Sequence, residues 1–142
     1  MSIEETTQLR LDFDKLNRVQ GQNVLPVAVQ DAATGEVLLI AYTNREALDE
    51  TLRTGALVLW STSRRNLWHK GESSGNSFAL KEIRVNCEQN SLVYLVEPRG
   101  GGICHTKNAR GESRNCYYRR LNPETGRLEF LEEDFAERGT IA

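Results

Sequence analysis

No stretch of this 142-residue chain approaches the roughly eighteen consecutive apolar residues that a membrane-spanning helix requires. The first twenty residues, MSIEETTQLRLDFDKLNRVQ, carry charges throughout and lack the apolar centre of a secretory leader, so a soluble, cytoplasmic protein without a membrane partner is expected. An excess of one charge is missing too. Eighteen Lys and Arg stand against 20 Asp and Glu, and the basic residues are dispersed among the acidic ones, so the electrostatic footprint of a nucleic-acid binder is lacking. Cysteine is scarce and odd in number, three in all, which argues against a disulfide framework and for free thiols or metal ligands. There is no internal repeat, low-complexity tract or linker. A hydrophobic content of 39% supports one domain with a modest core.

What is present reads as α+β, strand-dominated, with one or two short helices. Residues 24–30 (VLPVAVQ) and 36–43 (EVLLIAYT) are β-rich runs joined by Asp31-Ala-Ala-Thr-Gly35, the pattern of a hairpin. Asn44 suits an N-cap, Glu46 a first turn and Gly55 a C-terminal stop, which predicts a helix over 45–54 with Ala47, Leu48, Thr51 and Leu52 at helical spacing. Residues 56–61 (ALVLWS) read as a strand that places Trp60 in the core. A long polar loop without hydrophobic periodicity is expected next, through Ser77. Residues 78–87 and 92–97 read as strands paired across the Glu88-Gln-Asn90 turn. From Asn122 onward the composition turns acidic and turn-rich, which suggests a hairpin or helical turn with a loose tail.

In GGICHTKNARGESRNCYYRR, residues 101–120, Cys104 sits beside His105 with Cys116 twelve positions on. A catalytic zinc takes three protein ligands and keeps its fourth position open. With no Cys-x-x-Cys knuckle, the third sulfur must be Cys87. If residues 79–88 are extended, Cys87 points away from Asn86 and Glu88. Sulfur on one face and oxygen on the other would then serve two metals or two subunits. Against this stand simple packing of buried thiols and a structural zinc. The polar loop offers Ser61, Ser63, Arg64 and Lys70 as phosphate donors. Gly71, Ser74 and Gly75 would allow close backbone approach, and Trp68 would stack on a base or pack over a sugar. A solvated connection is the bland alternative.

Taken in order, VLPVAVQDAATGEVLLIAYTNREAL, WSTSRRNLWHKGESSGN, VNCEQNSLVYLVEP and Cys-His-Thr followed by Cys-Tyr-Tyr resemble the phosphoribosyl-AMP cyclohydrolases of histidine biosynthesis over residues 12–120. The resemblance implies a cyclohydrolase-like domain over 1–121 with an acidic extension over 122–142, assembled as an intertwined homodimer. Zinc would be shared, held by Cys87 of one subunit and Cys104 and Cys116 of the other. It implies hydrolysis of the N1–C6 bond of the adenine ring in a phosphoribosyl nucleotide, with zinc activating water and His105 as general base or proton shuttle. The segment through Asn76, including Glu72, would bind substrate. Where this family carries Asp-Cys-Asp-x-Asp for magnesium, the chain has Asn86-Cys87-Glu88-Gln89-Asn90, so magnesium is expected to bind weakly or not at all, with Glu88 its only anionic ligand. Thr62 replaces an arginine of the family pattern, and the Cys104–Cys116 loop is five residues longer than usual. A relative acting on another purine nucleotide and a non-catalytic, zinc-stapled nucleotide-binding dimer are the competing readings.

Overall fold

The structure is a computed structural model and describes residues 18–19, 21–72 and 75–131. Ser74 and the end of the acidic tail lie outside the described residues. In chain order the elements are β1 (Arg18–Val19), β2 (Gln22–Asn23), β3 (Leu25–Asp31), β4 (Val37–Thr43), α1 (Arg45–Thr54), β5 (Val58–Ser61), β6 (Asn66–His69), β7 (Ser77–Val85), β8 (Leu92–Arg99), β9 (Arg119–Leu121) and β10 (Leu128–Phe130). Six of the strands form one sheet in the order β6-β5-β4-β3-β8-β7, while β1 pairs with β2 and β9 with β10 in two separate ribbons. Among the described residues, no helix is long and apolar enough to cross a membrane.

The β3–β4 hairpin forms for the reason its sequence suggests. The Asp31 carboxylate accepts from the amides of Ala33 and Thr34 at 2.8 and 3.2 Å, and Gly35 supplies the left-handed conformation that closes the turn (φ 80°). Helix α1 has the expected bounds. The Asn44 side chain accepts from the Ala47 amide at 2.9 Å, a cap that contributes about 1 kcal/mol, and Gly55 ends the helix at φ 72°. Its buried face holds Ala47, Leu48 and Thr51, whereas Leu52 is exposed. The Thr51 hydroxyl donates to the Val58 carbonyl at 2.8 Å and so anchors the helix to β5.

Alternation along β3 and β8, which run parallel, sends Val27, Val29, Leu92, Tyr94 and Val96 into a core shared with Leu38, Leu57, Leu59, Phe78 and Ile103. The sheet curls until its ends meet. The Leu57 amide donates to the Phe78 carbonyl at 3.0 Å and the Leu80 amide to the Gly55 carbonyl at 2.9 Å, so the start of β7 bonds to the segment entering β5.

Three expectations need correction. The stretch after Ser61 is no continuous loop: Asn66–His69 is an edge strand paired antiparallel with β5. Its partner supplies the ordering that a polar, half-exposed strand does not announce by periodicity. Trp60 is not a core residue. It lies half-buried outside the core cluster, and its indole N–H donates to Gln22 Oε1 at 2.6 Å. Finally, β7 stops at Val85, so Cys87 belongs to a turn and its facing cannot be read from strand alternation.

Candidate active site

The loop from Gly101 to Cys116 folds back on itself as an irregular ladder. The Gly102 amide donates to the Ser113 carbonyl at 3.1 Å, Cys104 to Arg114 at 2.7 Å, and Arg114 to Thr106 at 3.1 Å. At its tip the Asn108 carboxamide accepts from the amides of Arg110 and Glu112, both at 2.9 Å. Two anchors fix the loop to the domain. Ile103 is buried in the hydrophobic core, and the Cys116 amide donates to the Leu38 carbonyl of β4 at 2.9 Å. The ladder therefore carries Cys104 and Cys116 to one place, close enough that each thiol acts on the other's ionisation.

Burial pushes the Cys104 thiol up, but donors outweigh it: the Thr106 hydroxyl 3.1 Å from Sγ, the Thr106 amide at 3.4 Å, the Cys116 thiol and the His105 amide together hold it below its usual value. Burial, and then the negative charge of Cys104, push Cys116 up to about 11. The Lys70 ammonium is drawn to both sulfurs, although burial lowers its pKa. Its Nζ also lies 5.3 Å from the centroid of the Trp68 ring. Two soft sulfur donors side by side suit zinc. Among the described residues, no group of three or more His, Cys, Asp and Glu gathers within one chain. Cys87 is exposed in the turn after β7, and His105 is exposed beside Cys104.

The predicted substrate residues divide into two groups. Ser61, Ser63 and Arg64 form the tight β5–β6 turn, with the two hydroxyls 3.3 Å apart and the Arg64 amide donating to Ser61 Oγ at 3.2 Å. Lys70 lies at the opposite end of the same hairpin, roughly 13 Å away at about 3.3 Å per strand residue. Gly71 and Glu72 border a cleft of about 260 Å³ with Lys70. Trp68 packs against the core. The Gly75 amide is engaged by the Gly71 carbonyl at 2.9 Å. Asn76 ties this segment to the thiol loop, its Oδ1 accepting from the Gly101 amide at 2.9 Å and its Nδ2 donating to Ser113 Oγ at 3.3 Å.

Asn86, Glu88 and Asn90 do converge. Asn86 Oδ1 accepts from the amides of Asn90 and Ser91, both at 2.9 Å, which turns its Nδ2 toward Asn90 Oδ1 at 2.7 Å. Asn90 Nδ2 in turn donates to Glu88 Oε2 at 3.2 Å. Amide donors thus stand where a hard cation needs oxygens, and this turn does not fit magnesium.

Sequence reasoning overlooked three contributors: Thr106, which steadies Cys104; Ile103, which anchors it; and Gly102. The signal for Gly102 lay in the Gly100–Gly102 run. A Cβ on Gly102 would meet the Arg114 carbonyl oxygen at 2.3 Å and that of Ser113 at 2.5 Å. Gly102→Ala is therefore expected to force the ladder apart and destabilise the protein by about 1–3 kcal/mol, the usual cost of overpacking. Urea unfolding reads the stability.

The family model for phosphoribosyl-AMP cyclohydrolase matches residues 39–118. A phosphoribosyl-AMP cyclohydrolase of Cenarchaeum symbiosum is 49% identical over 111 residues, spanning 78% of this chain and 93% of that protein. One from Methanosarcina barkeri is 44% identical over 124 residues, 87% and 90% of the two chains. One from Bordetella parapertussis is 38% identical over 134 residues, 94% and 92%.

Proposed function

Since the chain belongs to the phosphoribosyl-AMP cyclohydrolase family of histidine biosynthesis, we propose that it opens the adenine ring of phosphoribosyl-AMP at the N1–C6 bond, using zinc held by Cys104, Cys116 and Cys87 of a second copy. The observation that best supports this is the Gly102–Cys116 ladder, which gathers the Cys104 and Cys116 thiols within electrostatic reach of the Lys70 ammonium, with His105 next in sequence. When bound, zinc supplies the Lewis acidity that makes water nucleophilic near neutral pH. The water oxygen bonds to C6, the N1–C6 bond breaks, and its electron pair remains on N1. The attacking water gives up both protons, one reaching the exocyclic nitrogen on C6 and the other carried by His105 to N1, which leaves C6 as a carboxamide carbon.

The substrate carries two phosphates, and the hairpin offers two donor sets. Lys70 serves one end beside the thiols, and Ser61, Ser63 and Arg64 serve the other. Glu72 lines the same cleft as Lys70. Because each thiol loop would use Cys87 of a second copy, the working form in this reading is a homodimer.

Turnover of phosphoribosyl-AMP followed by ultraviolet absorbance, on protein of measured metal content, tests the reading. Activity that tracks zinc supports it, and full activity in metal-free protein refutes it. Magnesium is expected to leave both the melting temperature and the rate of the zinc-loaded protein unchanged, because Asn90 donates to the Glu88 carboxylate and Asn86 in turn donates to Asn90. Asn86→Asp with Asn90→Asp should create a magnesium-dependent rise in melting temperature. A comparable rise in the unsubstituted protein would contradict the amide-bridged turn.

A further inference from the structure

Arg114 lies on the ladder between the two thiols: its carbonyl accepts from the Cys104 amide at 2.7 Å, and its own amide donates to the Thr106 carbonyl at 3.1 Å. It is also buried, which is rare for arginine. The guanidinium carbon sits 4.2 Å from the Tyr118 ring centroid and 5.2 Å from that of Phe130. Those two rings are themselves stacked, with centroids 5.8 Å apart. Phe130 is the last residue of β10, which reaches the site only because β10 pairs with β9, Phe130 facing Arg119. The Leu131 amide then donates to the Tyr118 carbonyl at 3.0 Å, closing the clasp. Phe130 lies beyond residues 39–118, where the family model matches.

We propose that Arg114 is a positioning residue, gripped by the C-terminal β9–β10 hairpin through Tyr118 and Phe130, and that this grip sets the spacing of Cys104 and Cys116. The physical reason is leverage. A planar guanidinium over aromatic faces holds one orientation, and its backbone supplies the hydrogen bonds on which Cys104 and Thr106 hang. Release of the side chain frees residues 113–116 to shift against 102–106. The ladder itself has little slack, since Gly102 already touches the Ser113–Arg114 backbone. The hairpin beyond the family match is thus a functional support for the thiol pair.

The inference rests on the zinc reading for its role in activity, so two readouts are paired. The first is the rate at which zinc-loaded protein gives up metal to a colorimetric chelator. The second, independent of zinc, is capture of metal-free protein by phenylarsine oxide, which bridges two close thiols, with the Cys104–Cys116 adduct located by mass spectrometry. Phe130→Ala and Arg114→Ala should each speed zinc release by about 10- to 100-fold, the range for groups that orient metal ligands, and slow arsenical capture. The double variant should be little worse than either single one, since both break the same clasp. Phe130→Tyr keeps the ring and should restore both readouts, and Arg120→Ala, on the exposed Arg120–Glu129 pair of the same hairpin, should change neither. A fall in melting temperature with unchanged release and capture would overturn the proposal and leave the clasp purely structural. A parent protein that binds no zinc would refute the zinc reading, while arsenical capture would still decide on Arg114.

Discussion

Replacing His105 with alanine is expected to lower kcat for phosphoribosyl-AMP by about two to four orders of magnitude, the usual contribution of a positioned general acid or base, while zinc content and fold stay as they were. The site makes this an unusually clean substitution. The His105 side chain is exposed, so its loss opens no cavity in the core. What His105 gives Cys104 is a backbone N–H, and alanine keeps that donor. The change therefore removes the imidazole and little else. Absorbance-monitored turnover beside metal analysis reads the outcome, and a kcat within about threefold of the parent would show that the proton passes through another group. An inactive parent that holds zinc tightly would instead favour a nucleotide-binding module.

Cys87→Ser should have the second large effect, and on two properties together. Cys87 is exposed on the β7–β8 turn, and it joins no cluster of ligating side chains within its own chain among the described residues. If its sulfur completes the site of a second copy, serine removes a zinc ligand and an interchain link in one step. Zinc affinity should fall by about 100-fold or more, since even residues that only orient ligands are worth 10- to 100-fold. Sedimentation should show the dimer weakening in parallel. Metal lost with association unchanged would argue against sharing, and full zinc retention would remove Cys87 from the ligand set.

Much of the framework was legible because local signals and tertiary demand agree. Asp31 and Gly35 specify the first hairpin, and Asn44 and Gly55 bound the helix wherever those residues stand. The strand β6 was hidden for the opposite reason: only pairing with β5 makes NLWH a strand, and its single apolar pair, Leu67 and Trp68, gives no period. Trp60 misled because a tryptophan in an apolar run suggests core, whereas its indole N–H here finds Gln22. At the candidate site, the cysteines and His105 stood out by residue type. Thr106, Ile103 and Arg114 did not, because each acts through a backbone bond or a packing contact that a linear sequence leaves unmarked. Asn76 was legible as a residue of interest, although its carboxamide is engaged with the glycine run and Ser113.

The closure of the sheet also bears on solubility. Bonding of Leu57 and Gly55 to the start of β7 covers the first half of an edge strand that would otherwise offer a row of unpaired amides and carbonyls. The second half holds Lys81 within the register shift between Leu80 and Glu82, and Glu82 and Arg84 follow it; charged side chains and bulges at such a border discourage strand-by-strand growth into fibrils. Strand-by-strand addition of another chain along that margin is thereby disfavoured.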